Sequence, residues 1–276
     1  MRYEEKNNYK SFFTSDHQTI RMKYDNTKPF KRIDYPELED VAINSKCFAN
    51  CPYCYVSALK SGTNFDNICY KAIEAWKTNK PYQIAIGGAG EPTLHPDFIP
   101  FLAIVKELGI VPNYTTNGMH LTDEILDATN AFCGGIALSW HPHIKKQFER
   151  AVNQLKGLKT KVNVHIIISG FRDIGQFIRI YENYQDVFDR FVLLPYQAVG
   201  RAEPQHVEES WAFLFKILTT MDLNKIALGA LFYDFIKQQK YDFIDLYNPD
   251  LFSGYRIMDD SYKQLRKSSY ESNVYI

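Results

Sequence analysis

A partial (β/α)6 TIM-like barrel of the α/β class, with extensions at both ends, is the fold this sequence predicts. Three observations carry it. From residue 40 onward short apolar runs alternate with helical patterns; the alternation yields six strand-then-helix units; and the polar or glycine-rich clusters fall just after the predicted strands. Repeated β-then-α order calls for parallel strands joined by right-handed crossovers. Six units are too few for the usual closed ring of eight, so the barrel is expected to be open. A chain of 276 residues is long enough for one such domain. The expected division is an N-terminal extension over 1–39, a barrel core over 40–223 and a C-terminal extension over 224–276.

The first strand is read at 40–45, DVAINS. A helix over 65–76 follows from Ile68, Ala72, Ile73 and Trp76 at helical spacing, with Asp66 as its N-cap. YQIAIGG (82–88) is the second strand, and HPDFIPFLAIVKELG a helix whose buried stripe is Phe98, Phe101, Leu102 and Val105, with Gly109 placed to end it. Strand VPNYTTNG is followed by a helix opening at Thr122, and strand GIALSW by a helix through Phe148, Val152 and Leu155. KVNVHIIIS is the fifth strand. Asp173 and Gln176 suggest a capping-box start for the next helix, which carries Ile174, Phe177, Ile178 and Tyr181. RFVLLPY is the sixth strand, ahead of a helix containing Trp211, Leu214, Phe215 and Leu218. The polar end, SYKQLRKSSYESNVYI (261–276), reads as a mobile tail or a lid.

Composition excludes several classes. Thirty-two basic and thirty-two acidic residues cancel, so no bulk field points to nucleic acid. The start, MRYEEKNNYKSFF, has no apolar signal core, and no apolar run approaches a membrane span, so a cytoplasmic location is expected. Five cysteines, odd in number and mostly clustered, fit a reducing compartment better than a disulfide framework.

The clusters after the strands form the C-terminal rim, where parallel barrels build their sites. The cysteine loop KCFANCPYCYVS follows strand one and holds Cys47, Cys51 and Cys54. Thiolates this close can turn toward one metal centre. Three of them on a four-iron cluster leave one iron open to a ligand, as catalytic metal sites do. A redox dithiol or a zinc site completed by histidine uses similar residues, while Cys69 and Cys133 stand alone. Gly87, Gly88, Gly90 and Glu91 follow strand two: the glycines let backbone approach a ligand, and the carboxylate can receive an ammonium. Thr115, Thr116, Asn117 and Gly118 follow strand three, and Ser139, Trp140 and His141 strand four. Asn163 and Ser169 lie in or after strand five, with His165 on the face of Asn163 by alternation. Gln197, Gly200 and Arg201 follow strand six.

The cysteine spacing, with aromatic Tyr53 before Cys54, and the GGAGEP loop one unit later resemble the radical S-adenosylmethionine superfamily. The resemblance covers roughly 40–202 and implies an enzyme whose [4Fe-4S] cluster is held by Cys47, Cys51 and Cys54. It implies reductive cleavage of S-adenosylmethionine to methionine and a 5'-deoxyadenosyl radical that takes hydrogen from a substrate. GGAGEP, one residue longer than the family's GGEP, would hold the methionyl amino group. Tyr53, Asn117, Ser139, His141, Asn163 and the backbone near Leu194 and Pro195 would contact the cofactor. An external one-electron donor of flavodoxin or ferredoxin type and oxygen sensitivity follow. His120, Tyr196, Gln197 and Arg201, with Asn117, are rim candidates for substrate contact. A peptide or protein side chain is the leading substrate class; a nucleotide or small metabolite, or a glycyl-radical activase role, are the alternatives. A module that binds iron-sulfur or zinc without radical chemistry is the reading from another class.

Overall fold

Tyr9 and Ser11 turn inward on a short N-terminal strand, and around it the chain builds a small antiparallel sheet. Its strands are β1 (Arg2–Glu4), β2 (Tyr9–Phe13) and β3 (Thr19–Met22), in that spatial order. The computed structural model describes residues 2–4, 8–15, 17, 19–28, 36–78, 80–239, 255–258 and 264–266. The predicted tail at 261–276 lies outside them apart from 264–266.

The main sheet runs through β4 (Leu38–Val41), β5 (Gln83–Ile86), β6 (Val111–Thr116), β7 (Gly135–Ser139), β8 (Lys161–Ile168), β9 (Arg190–Pro195) and β10 (Ile226–Leu228). These seven strands are hydrogen-bonded in chain order, all in parallel. Beyond β4, the strand β11 (Tyr255–Met258) adds in parallel and β12 (Gln264–Arg266) pairs antiparallel to it. The order is linear, with β10 at one edge and β12 at the other, so the barrel is partial as expected; β10, in the predicted C-terminal extension, adds a seventh parallel strand to the six read from the sequence. Helices α1 (Ile68–Ala75), α2 (Phe98–Glu107), α3 (Asp123–Phe132), α4 (Lys145–Leu155), α5 (Phe171–Tyr184) and α6 (Glu208–Leu218) follow β4 to β9 in turn, and α7 (Tyr233–Gln239) follows β10. Among the described residues no helix is long and apolar enough to cross a membrane.

Strand alternation sorts the side chains into two faces. Val162, Val164, Ile166 and Ile168 of β8 are buried under the helices, where Phe148, Val152, Phe177 and Phe215 are also fully buried. Each such side chain contributes about 1.5–3 kcal/mol of transfer free energy. Asn163, His165 and Ile167 take the other, concave face and are half-buried. Ser139 of β7, paired with His165, is half-buried too.

Three local expectations are corrected. The first strand is Leu38–Val41, not 40–45, because the backbone of Ile43 to Cys47 turns to pair with the 59–65 segment. Asn67, in the left-handed region at φ 56°, precedes α1 in place of Asp66 and makes no side-chain cap. α5 opens at Phe171 after Gly170; Asp173 lies inside its first turn and accepts from Ser169, instead of starting the helix. Thr122 does cap α3, accepting from the Ile125 N–H, and Gly109 ends α2 at φ 74°.

The small sheet docks at the N-terminal ends of the barrel strands, opposite the rim. The Tyr9 hydroxyl donates to the buried Glu37 carboxylate just ahead of β4. Ser11 Oγ lies 3.1 Å from Tyr82 Oη ahead of β5, and Phe13 stacks on Tyr82 at 5.1 Å.

Candidate functional site

The cysteine loop is a closed ring with a paired neck. Ser45 N–H donates to Thr63 O at 2.9 Å, Cys47 N–H to Leu59 O at 3.0 Å and Phe65 N–H to Ile43 O at 3.0 Å. Inside it, Cys54 N–H donates to Cys51 O and Ser57 N–H to Cys54 O, while Asn50 and Ser57 adopt positive φ. This tight winding turns Cys47, Cys51 and Cys54 into one region packed with Tyr53, Met119 and Ile144. Burial raises the Cys47 thiol above its ordinary range. Burial, then the neighbouring Cys47 and Cys54, pushes Cys51 up to about 12. Cys47 and Cys54 thus oppose the ionisation of Cys51, and a cationic centre among the sulfurs would favour the thiolate form. The donor set fits an iron-sulfur cluster chemically. Among the described residues no three ligand side chains are grouped as they would be around a single metal ion. Cys69 and Cys133 pack against the helical core, away from this loop.

GGAGEP locks onto the loop's entrance. Gly90 lies where a Cβ would stand 2.4 Å from Asn44 Oδ1 and 2.7 Å from Lys46 N, so only glycine fits. Glu91 N–H donates to Lys46 O at 2.8 Å, and Asn44 Nδ2 to Glu91 O at 2.7 Å. Gly87 and Gly88 have positive φ, and a Cβ on Gly88 would reach within 3.3 Å of Tyr55 Oη. The Glu91 carboxylate is not free for an ammonium, as the sequence suggested. It is buried and accepts from Thr93 Oγ1 and Thr116 Oγ1 at 2.7 Å each and from Asn117 N–H at 2.8 Å. Burial raises its pKa, against the pull of those donors. The carboxylate ties the loop after β5 to the loop after β6, while the Glu91 backbone holds the cysteine loop. Asn117 completes the tie, with Nδ2 at 3.5 Å from Cys47 Sγ.

The loop after β7 grips the ring from its other side. Tyr53 Oη and His141 Nδ1 share a hydrogen bond of 2.9 Å, and His143 Nε2 lies 2.9 Å from Ala49 O. Burial, with His143 beside it, lowers His141 to about 4, so its imidazole is neutral at neutral pH. The loop after β9 makes the third grip: Arg201 N–H donates to Cys54 O at 3.0 Å, and Gly200, at φ 67°, passes where a Cβ would stand 2.3 Å from Tyr55 O.

Tyr53, Trp140, Pro142, Ile167, Ser169 and Asp173 line a pocket beside the loop. Trp140 Nε1 at this pocket and, farther back on the concave face of β8, Asn163 Oδ1 are buried without a hydrogen-bond partner. Such orphaned groups fit a polar ligand. Ser139, Asn163 and Leu194 stand half-buried on the concave wall. Tyr196 is buried with its hydroxyl given to Glu203 O, Gln197 is half-buried, and His120 is exposed on the turn after Gly118. The structure adds Asn44, His143 and Asp173 to the site residues expected from the sequence. A rim position was their only signal, and Asp173 resembled a helix cap.

No protein-family model matches the chain. Over 87 residues, 30% of this chain, it is 33% identical to the tungsten-containing aldehyde ferredoxin oxidoreductase cofactor-modifying protein of Pyrococcus furiosus. The match spans 24% of that protein. SuiB of Streptococcus suis, solved bound to the precursor peptide SuiA, superposes with a TM-score of 0.64 at 15% identity, over 83% of this chain. Native anSMEcpe with bound S-adenosylmethionine and the Cp18Cys peptide superposes at 0.54 with 13% identity, over 76% of this chain and 68% of that one. The chain covers 58% of SuiB, less than two thirds of its length. Both solved relatives are radical S-adenosylmethionine enzymes. The fold of this chain is that of the radical S-adenosylmethionine superfamily.

Proposed function

We propose that the chain is a radical S-adenosylmethionine enzyme acting on a peptide or protein side chain. One observation carries the reading. The triple-cysteine ring sits at the C-terminal end of the first barrel strand and is held there by the loops after β5, β6, β7 and β9. Cys47, Cys51 and Cys54 would hold a [4Fe-4S] cluster with one iron left for S-adenosylmethionine. When bound, the pair supplies one-electron cleavage of the sulfonium to methionine and a 5'-deoxyadenosyl radical that takes hydrogen from substrate. The chain's own residues place and shelter that chemistry. Tyr53 and Ile167 offer apolar surface for a purine, while Ser169 and Asp173 offer acceptors to a ribose. Gly87 and Gly88 leave bare backbone at the rim, and the Asn163 side-chain oxygen stands unpaired deeper on the concave face of β8.

The peptide class is supported by the peptides bound in SuiB and anSMEcpe. A second reading, a small cofactor or metabolite as substrate, is favoured by the name of the Pyrococcus furiosus relative. Anaerobic reconstitution with iron and sulfide tests the shared core. The expected result is about four irons per chain and 5'-deoxyadenosine formed from S-adenosylmethionine only when a reductant is present. Cys47→Ala, Cys51→Ala and Cys54→Ala should each abolish that product, and Cys69→Ala and Cys133→Ala should leave it. One zinc per chain, or product formation unaffected by Cys47→Ala, would reject the reading.

A further inference from the structure

A buried amide faces the sulfur of one cysteine and not the others. Asn117 is 6% exposed, and its Nδ2 stands 3.5 Å from Cys47 Sγ. Its orientation is set from two sides. Asn117 Oδ1 accepts from Met119 N–H at 2.9 Å, and its own N–H donates to Glu91 at 2.8 Å. Turning the amide end for end would oppose two donors at Met119, so Nδ2 is the group that meets the sulfur. The turn has no room to swing: at Gly118, φ 76°, a Cβ would stand 2.6 Å from Ala151 Cβ and 2.7 Å from Leu138 Cδ1. Cys54 Sγ, by contrast, faces a loop amide, Ala58 N–H, at 3.4 Å. Among the described residues Cys47 has the one side-chain donor on a sulfur of the ring.

We propose that Asn117 is a positioning residue whose N–H···S hydrogen bond to Cys47 raises the one-electron reduction potential of the cluster that the three thiolates would hold. The proposal rests on the iron-sulfur reading given above. An added electron increases the negative charge on the sulfur ligands. A fixed N–H dipole aimed at one of them stabilises the reduced state more than the oxidised state. Asn117 takes no electron itself; an external one-electron reductant supplies it.

The test is a potentiometric titration of the reconstituted full chain, read by the electron paramagnetic resonance of the reduced cluster. Iron per chain is measured on each sample. Asn117→Asp keeps an acceptor for Met119 and puts a carboxylate oxygen where the donor was. At the unsubstituted protein's midpoint its ratio of reduced to oxidised cluster should fall about tenfold, which for a one-electron couple is about 59 mV. Asn117→Ala should move the same way by less. Thr116→Val, which cuts the bonds of its hydroxyl to Glu91 and Gly118 without removing the donor to sulfur, should move the midpoint by less than either Asn117 variant. Unmoved potentials in both Asn117 variants, or a Thr116→Val shift as large as theirs, would overturn the assignment while the enzyme reading stands. An unsubstituted protein that takes up no cluster would overturn both.

Discussion

Glu91 and Asn117 show how a residue's chemistry and its task can part. The sequence offers Glu91 as a carboxylate on a glycine-rich rim loop, suited to an ammonium. In the fold both of its oxygens are taken by Thr93, Thr116 and Asn117. Replacing Glu91 by Gln sets an amide donor among those donors, and should cost about 1–3 kcal/mol of unfolding free energy in a denaturant titration. An unchanged midpoint would mean the loops after β5 and β6 do not depend on this carboxylate. His165 gives a pH signature. Burial lowers it from 6.5 to about 4, so between those values the unfolded chain binds the extra proton. Stability is then full above pH 6.5 and falls toward pH 4, by about 3 kcal/mol at 1.36 kcal/mol per pH unit. His165→Gln should lose less stability over that window than the parent; equal loss would place the acid sensitivity elsewhere. The cysteine cluster was legible in the sequence because its spacing is local. The destination of the Glu91 oxygens was not, since it depends on the loop after β6, distant in the chain, meeting the loop after β5.

At the scale of elements, legibility followed the strength of the periodic pattern. β8 and α4 stand where VNVHIII and the Phe148, Val152, Leu155 stripe put them, because one alternates and the other repeats on a helical face. Element ends carry a weaker signal. DVAINS has the apolar residues of a strand, yet the chain leaves the sheet after Val41 so that Ile43 to Cys47 can pair with the far neck of the cysteine ring. β10 and β11 are three and four residues long, and only their partners in the sheet identify them. Gly90 is the joint between two elements, the exit of β4 and the loop after β5. Gly90→Ala forces a Cβ against Asn44 and Lys46 and should cost about 1–3 kcal/mol. It should also lower iron uptake per chain, since the displaced backbone carries Cys47. Normal uptake with normal stability would mean the two loops are independent.

The whole molecule separates its two ends. The small N-terminal sheet closes against the strand starts through Tyr9, Ser11 and Phe13, while every candidate ligand residue lies at or near the strand ends or on the concave wall. Parallel barrels assign stability and chemistry to opposite faces in this way. The open sheet leaves a half-buried wall carrying Ser139, Asn163 and His165 beneath the cysteine ring. Alternation in the sequence tells which residues of this wall share a face, and only the curled sheet tells that the face is concave. The central claim is that three thiolates hold a cluster whose remaining iron takes S-adenosylmethionine, and the most direct measurement is the electron paramagnetic resonance spectrum of the reduced, reconstituted chain before and after that compound is added. The account predicts a [4Fe-4S] signal that changes on addition in the parent protein and is lost in Cys51→Ala. A signal indifferent to S-adenosylmethionine, or no iron-sulfur signal at all, would contradict it.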